Sequence, residues 1–137
     1  MYALDFGCGS GLSSILLREE LPELKLIGVD ISKKAIESCV EKGLHVRLTY
    51  PDRPLPFPDA TFDLIFAIFV MHFNVGIFTL SELKRVLQPA GTFVFNVYHR
   101  DIESIIAQLD EAGFGTTKVW EIEGVSVNHL IVSCGVS

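Results

Sequence analysis

Three glycines at alternate positions, Gly7, Gly9 and Gly11, follow the apolar stretch "MYALDF", and nineteen residues beyond the last of them stands Asp30 in "GVDIS". Glycines so placed suit a turn that needs positive φ and a close approach of backbone N–H groups to a ligand. The positive end of a helix starting there favours an anionic or carboxylate-bearing group. A carboxylate closing the next strand can accept both hydroxyls of a ribose, so the pair predicts one nucleoside pocket. The dinucleotide fingerprint G-x-G-x-x-G would put its third glycine at Leu12, and the glycine comes one residue early, which argues against a nicotinamide dinucleotide.

Other reactive side chains are scattered. The four histidines are each more than twenty residues apart, too far for neighbouring ligands on one helix or loop, so no metal is expected. Cys8, Cys39 and Cys134 form an odd, widely spaced set that fits neither a disulfide framework nor a zinc site; free thiols in a reducing compartment, the cytoplasm, are expected. Cys8 lies inside the glycine turn with no basic neighbour in sequence to activate it, which makes a packed, inert thiol the expectation.

The elements that must position the turn follow from periodicity. "MYALDF" and "LKLIGVD" are short apolar runs with the form of buried strands, and Leu12, Ile15, Leu16 and Leu17 give the segment between them a helical apolar face that ends near Leu21-Pro22. Ser32 caps a second helix with Ile36, Cys39 and Val40 inward and Gly43 at its left-handed end; "LHVRL" is a third strand. Four prolines in "TYPDRPLPFPDAT" make a loop into "FDLIFAIFV", a buried central strand. Thr79 and Glu82 have capping-box spacing for a helix burying Leu80, Leu83 and Leu87. "TFVFNVY" is a fifth strand, and Ile102, Ile105, Ile106 and Leu109 mark a helix ending at Gly113. Two last strands, joined tightly at "EGV", close the chain. The order βαβαβαβαβαββ, with one weak or missing helix around "NVGIF", predicts an α/β fold over residues 1–137 as one domain. Its sheet is doubly wound, mostly parallel and seven-stranded, with a C-terminal antiparallel hairpin.

Here the chain resembles the class I S-adenosylmethionine-dependent methyltransferases. Their first motif, an acid followed by G-x-G-x-G, is matched by "LDFGCGSG", and their second, an acid ending the next strand, by "GVDIS". "LPFPDATFDLIFA" and "ELKRVLQPAGTFVF" are similar to later segments of the small-molecule and lipid-methylating branch, so the likeness runs over nearly the whole chain. The resemblance implies a Rossmann-like methyltransferase fold with S-adenosylmethionine as cofactor and S-adenosylhomocysteine as product. It further implies that Gly7, Cys8, Gly9 and Gly11 border the methionine part, that Asp5 helps position its amino group, that Asp30 takes the ribose, and that Ile31 lies beside it. Family members place an acid four residues before the leucine of "LPF" to meet the adenine; that position is Pro51, and Asp52 is its substitute.

Methyl transfer from a sulfonium is driven by alignment in a water-poor pocket and needs no obligatory catalytic side chain. A base helps where the acceptor loses a proton, and His72 in "VMHFN" is the candidate, with a rim-lining role as its plain alternative. Asn74, Tyr98 and His99 also fall past strand ends on the acceptor side, where loop or capping duty is the competing reading. Phe69, in series with Phe66 and Phe73, is a candidate to stack on the adenine or shield the sulfonium.

The net charge of −6 comes without a basic stripe, so no nucleic-acid footprint is visible, and the longest apolar run, from Leu64 to Met71, is too short to span a bilayer. A small-molecule acceptor is therefore expected. Family members carry helices before the first strand, where this chain has only Met1 and Tyr2. A minimal core, a fragment and a core whose lid comes from a partner subunit all fit. So does a second class of function, a non-catalytic cofactor- or partner-binding module. Apolar surface left without that cover is expected to drive association, as a homodimer or with a partner subunit.

Overall fold

The computed structural model describes residues 1–71, 75–97, 101–121 and 129–136. The first two apolar runs are β1 (Tyr2–Phe6) and β2 (Lys25–Asp30), on either side of α1 (Leu12–Glu20). Then come α2 (Lys33–Glu41), β3 (Val46–Leu48), β4 (Phe62–Ala67), α3 (Gly76–Val86), β5 (Leu87–Val97), α4 (Ile102–Ala112), β6 (Phe114–Glu121) and β7 (Leu130–Val136). The sheet order is β3-β2-β1-β4-β5-β7-β6. Its first five strands run parallel, and β7 is antiparallel to both β5 and β6. The winding reverses between β1 and β4, so the chain leaving the carboxyl ends of these two strands diverges and opens a crevice there.

One face of the sheet carries the core. In register across it lie Leu4, Ile65, Phe93 and Cys134, all fully buried. They are capped by Leu80 and Leu83 of α3 and by Ile105 and Leu109 of α4. Phe93 sits at the centre, its ring 5.1 Å from that of Phe95 and 5.4 Å from that of Phe114.

The opposite face is built differently. Its α1 carries only half of the expected apolar face: Ile15 and Leu17 are half-buried, Leu12 and Leu16 are 64% and 61% exposed, and Ser14 is the buried residue. The expected face is corrected at Leu12 and Leu16, because the short Ser14 side chain turns inward to bond the buried Asp5 carboxylate on β1. Along this face α1 and α2 pack on β2 and β3. Further across, Leu64, Phe66, Val94 and Ile131 are only half-buried, and Trp120, paired with Ile131, is exposed.

Three further expectations change. The weak helix around "NVGIF" is not a separate element, since residues 76–78 form the first turn of α3, while the proline segment between β3 and β4 is the loop expected of it, its prolines denying amide donors and restricting their neighbours. Because α3 starts at Gly76, Thr79 lies within it and makes no cap. Leu87 is the first residue of β5, buried in the core and paired with Phe62. Ser32 caps α2 by accepting the Ala35 amide, and Gly43 and Gly113 take left-handed conformations after their helices as expected. The turn at residues 123–125 lies outside the described residues.

Truncating Phe93 to Ala removes the ring at the middle of the core and is expected to lower the unfolding free energy by about 3–5 kcal/mol. Urea denaturation followed by circular dichroism measures this, and a loss below about 1 kcal/mol would place the ring outside the cooperative core.

Candidate functional site

The site starts at the carboxyl end of β1. Gly7 has φ +75° and Gly11 φ +90°. A Cβ at Gly7 would stand 2.5 Å from Cγ2 of the β-branched Val70, so both conformation and space demand glycine there; at Gly11, where the nearest atom is Cδ1 of the flexible Leu44, conformation alone demands it.

Three amides of this turn are directed back into the protein. Gly7 N–H and Cys8 N–H both donate to the Val29 carbonyl at 2.9 Å, and Gly9 N–H donates to Asp30 Oδ2 at 2.9 Å. The expectation that these N–H groups face a ligand is therefore corrected: β2 consumes them, and their work is to hold the turn. Asp30 Oδ1 accepts the Ser32 amide at 2.9 Å. A carboxylate has about four acceptor positions, so two stay open on Asp30, enough for a vicinal diol.

Asp5 is 1% exposed and accepts the Ser14 hydroxyl at 2.5 Å, beneath the turn. Burial holds its carboxyl above the ordinary value of 3.8; the Ser14 hydrogen bond opposes this and the nearby Asp30 charge adds to it.

In front of the turn opens a cleft of about 410 Å³. Of the residues expected at the site, Gly7, Asp30, Ile31 and Phe69 line it. Asp5, Cys8, Gly9, Gly11 and the exposed Asp52 are not among its lining residues, while Pro51 and Arg53 on either side of Asp52 form part of the wall. His72, Phe73, Asn74, Tyr98 and His99 lie outside the described residues.

That wall is the proline segment, and the sequence reading missed what holds it. Arg85 of α3 engages all five of its N–H donors: Nε and one terminal nitrogen on the Glu82 carboxylate, and the remainder on the carbonyls of Leu55 and Phe57 and on Asp59. Glu82 also accepts the Leu55 amide at 2.7 Å. The hydrogen bond from Arg85 holds the Glu82 carboxyl below its usual range against the opposing effect of burial. The i, i+3 pairing of Glu82 and Arg85 was visible in sequence, but its partners across the loop were not.

The opposite wall is the corner after β4. Phe69 is 54% exposed and has φ +58°, a left-handed conformation that costs a bulky residue about 1–3 kcal/mol. Its amide donates to Asn96 Oδ1 of β5 at 2.6 Å, and Asn96 Nδ2 lies 3.1 Å from His129 Nε2. Neither Asn96 nor His129 was singled out from sequence, since their partners stand 27 and 33 residues away.

Comparison with known proteins decides the family. The family model described as a methyltransferase domain matches residues 4–95. The chain belongs to this family. A demethylmenaquinone methyltransferase from Symbiobacterium thermophilum is 37% identical over 105 residues, covering 68% of this chain and 41% of that protein. A malonyl-[acyl-carrier protein] O-methyltransferase from Herminiimonas arsenicoxydans is 29% identical over 111 residues, covering 78% of this chain and 42% of that one. The chain thus spans about two fifths of the length of these curated relatives. Among solved structures, an S-adenosylmethionine-dependent methyltransferase from Aquifex aeolicus shares the fold with a TM-score of 0.82 at 23% identity, over 100% of this chain and 82% of that one.

Within this methyltransferase domain the thiols are free and buried. Cys8 Sγ lies 3.8 Å from Cys39 Sγ, and burial, followed by the neighbouring Cys39, pushes the Cys8 thiol far above its ordinary value. Burial alone pushes Cys134 up to about 12. Both stay protonated near neutral pH and are poor nucleophiles.

The raised Asp5 carboxyl gives this methyltransferase domain a testable pH dependence. The folded state holds that proton more tightly than the unfolded chain, so the stability it contributes is complete below pH 3.8 and is lost as pH rises through the raised folded value. Asp5→Asn keeps an acceptor for Ser14 and is expected to remove this loss. Urea unfolding at about pH 4 and about pH 7 should show wild type losing more stability over the interval than the variant; equal slopes would mean that Asp5 is not the group responsible.

Proposed function

We propose that the cleft binds S-adenosylmethionine and that the protein transfers its methyl group to a small-molecule acceptor. The observation carrying this reading is the Asp30 carboxylate, fixed by Gly9 and Ser32 and lining the cleft with two acceptor positions open. The fit extends along the cleft. Asp30 takes the ribose hydroxyls with Ile31 beside it, and Phe69 offers a ring for stacking or for facing a sulfonium. Gly7 borders the methionine part, Cys8, Gly9 and Gly11 shape the turn behind it, and Asp5 supports that turn through Ser14. Asp52 is the proposed substitute for the adenine-binding acid.

The bound cofactor would supply an electrophilic methyl group, leaving as S-adenosylhomocysteine once the sulfur–methyl bond breaks and the acceptor's lone pair forms the new bond. What the chain contributes is alignment and exclusion of water. Where the acceptor loses a proton, His72 is the proposed base. Two relatives' names, demethylmenaquinone methyltransferase and malonyl-[acyl-carrier protein] O-methyltransferase, support an organic acceptor. Three free, buried thiols support a reducing, cytoplasmic setting; among the described residues no helix is long and apolar enough to cross a membrane.

A second reading, binding without turnover, is favoured by one observation: Pro51, which lines the cleft, cannot supply the carboxylate expected there. Calorimetric titration with S-adenosylmethionine and S-adenosylhomocysteine tests the first step for both readings. Micromolar affinity is expected, with Asp30→Ala weakening it on the order of tenfold or more, as loss of a charged hydrogen-bond acceptor should. Absence of binding would remove both readings. Binding without product formation from a panel of small acceptors would favour the second.

The half-buried strip of Leu64, Phe66, Val94 and Ile131, with Trp120 beside it, supports association of two copies or with a partner subunit. Light scattering of the purified chain at micromolar concentration is expected to report a dimer or larger species; a stable, strictly monomeric protein would contradict this.

A further inference from the structure

We infer that Asn96 is a positioning residue of the cleft, setting the wall made by Phe69 and Val70 by holding the Phe69 backbone in its left-handed conformation. The identity of the ligand rests on the function proposed above; the hydrogen-bond geometry does not.

Asn96 is 6% exposed, and a side-chain amide so buried needs partners for both ends. The Phe69 N–H can only donate, so the oxygen of Asn96 faces it, at 2.6 Å. The amide orientation is thereby fixed, and Nδ2 must donate to His129 Nε2 at 3.1 Å, leaving the imidazole proton on Nδ1. The Phe69 and His129 rings lie 5.8 Å apart at 49°. One amide thus joins the ends of β4 and β5 to the residue preceding β7.

A phenylalanine has no intrinsic preference for φ +58°. Rotating this residue to an ordinary conformation would swing its ring and redirect Val70, whose Cγ2 fills the space beside Gly7. Both side chains line the cleft on the side facing Asp30. A single hydrogen bond from β5 therefore determines the distance between the aromatic wall and the glycine turn.

Three variants test this: Asn96→Ala, Asn96→Asp, which keeps the acceptor and loses the donor, and Phe69→Gly, for which the left-handed conformation is unstrained. Hydrogen exchange resolved by NMR reads the contact without any ligand. The Phe69 amide should be protected in wild type and in Asn96→Asp, and should exchange on the order of tenfold faster or more in Asn96→Ala, with core amides of β5 unchanged. Calorimetry with S-adenosylhomocysteine reads the consequence. Asn96→Ala should weaken binding roughly tenfold in the Phe69 background and less than about twofold in the Phe69→Gly background.

Unchanged exchange at Phe69 in Asn96→Ala overturns the inference. So does an equal loss of affinity in both backgrounds, the result a merely structural role would give. Should Asn96→Ala not fold, the Asn96→Asp variant decides, since loss of Phe69 protection there contradicts the acceptor role. If wild type binds neither cofactor nor product, the proposed function fails while the exchange result still decides whether Asn96 holds the corner.

Discussion

The turn after β1 is held in place by three consecutive amides, two on the Val29 carbonyl and the third on the Asp30 carboxylate. Everything in the cleft is measured from this attachment. It makes the loop an extension of the β1–β2 ladder, in which Phe6 pairs with Val29. The close fit depends on Gly28 as well, where a Cβ would come within 2.9 Å of Cys8 Cβ. A one-residue slip in this pairing would turn Asp30 to the other face of the sheet, so the register of two short strands determines whether the carboxylate reaches the cleft at all.

The remaining walls are attached by the same means but to other elements. Arg85 pins the proline segment to α3, and Asn96 pins the β4 corner to β5. Each anchor is a polar side chain with its donors or acceptors engaged, so each holds a backbone segment that has no regular ladder of its own. The apolar core under α3 and α4 supplies the stability that carries the strained Phe69 and the buried Asp5.

Much of this was readable from the chain. Short apolar runs and glycine stops identify β1, β2 and the turn, and alternation of strands and helices yields the doubly wound sheet. Asp30 is legible because it is local to its motif: strand, turn and carboxylate lie within one βαβ unit. Asn96, His129 and Arg85 are not, because their meaning depends on partners brought near only by the completed sheet. The reading of α1 failed in part for a related reason. Counting leucines gives an apolar face, but the strand beneath it presents Asp5, and the helix turns Ser14 toward that charge and leaves Leu12 and Leu16 in solvent. In α3 the spacing of Thr79 and Glu82 suggested a cap, whereas Glu82 is spent on Leu55 and Arg85.

Arg85 and Glu82 grip the proline segment mainly by its backbone, at the carbonyls of Leu55 and Phe57 and the amide of Leu55. Main-chain atoms are the same whatever side chain they carry. Mutational drift along residues 50–54 can therefore re-dress this wall, changing its size, charge and hydrogen-bonding character, without loosening the clamp. Evolution can explore new occupants of the cleft on that side at little risk to the fold, while the Asp30 side stays fixed by the sheet.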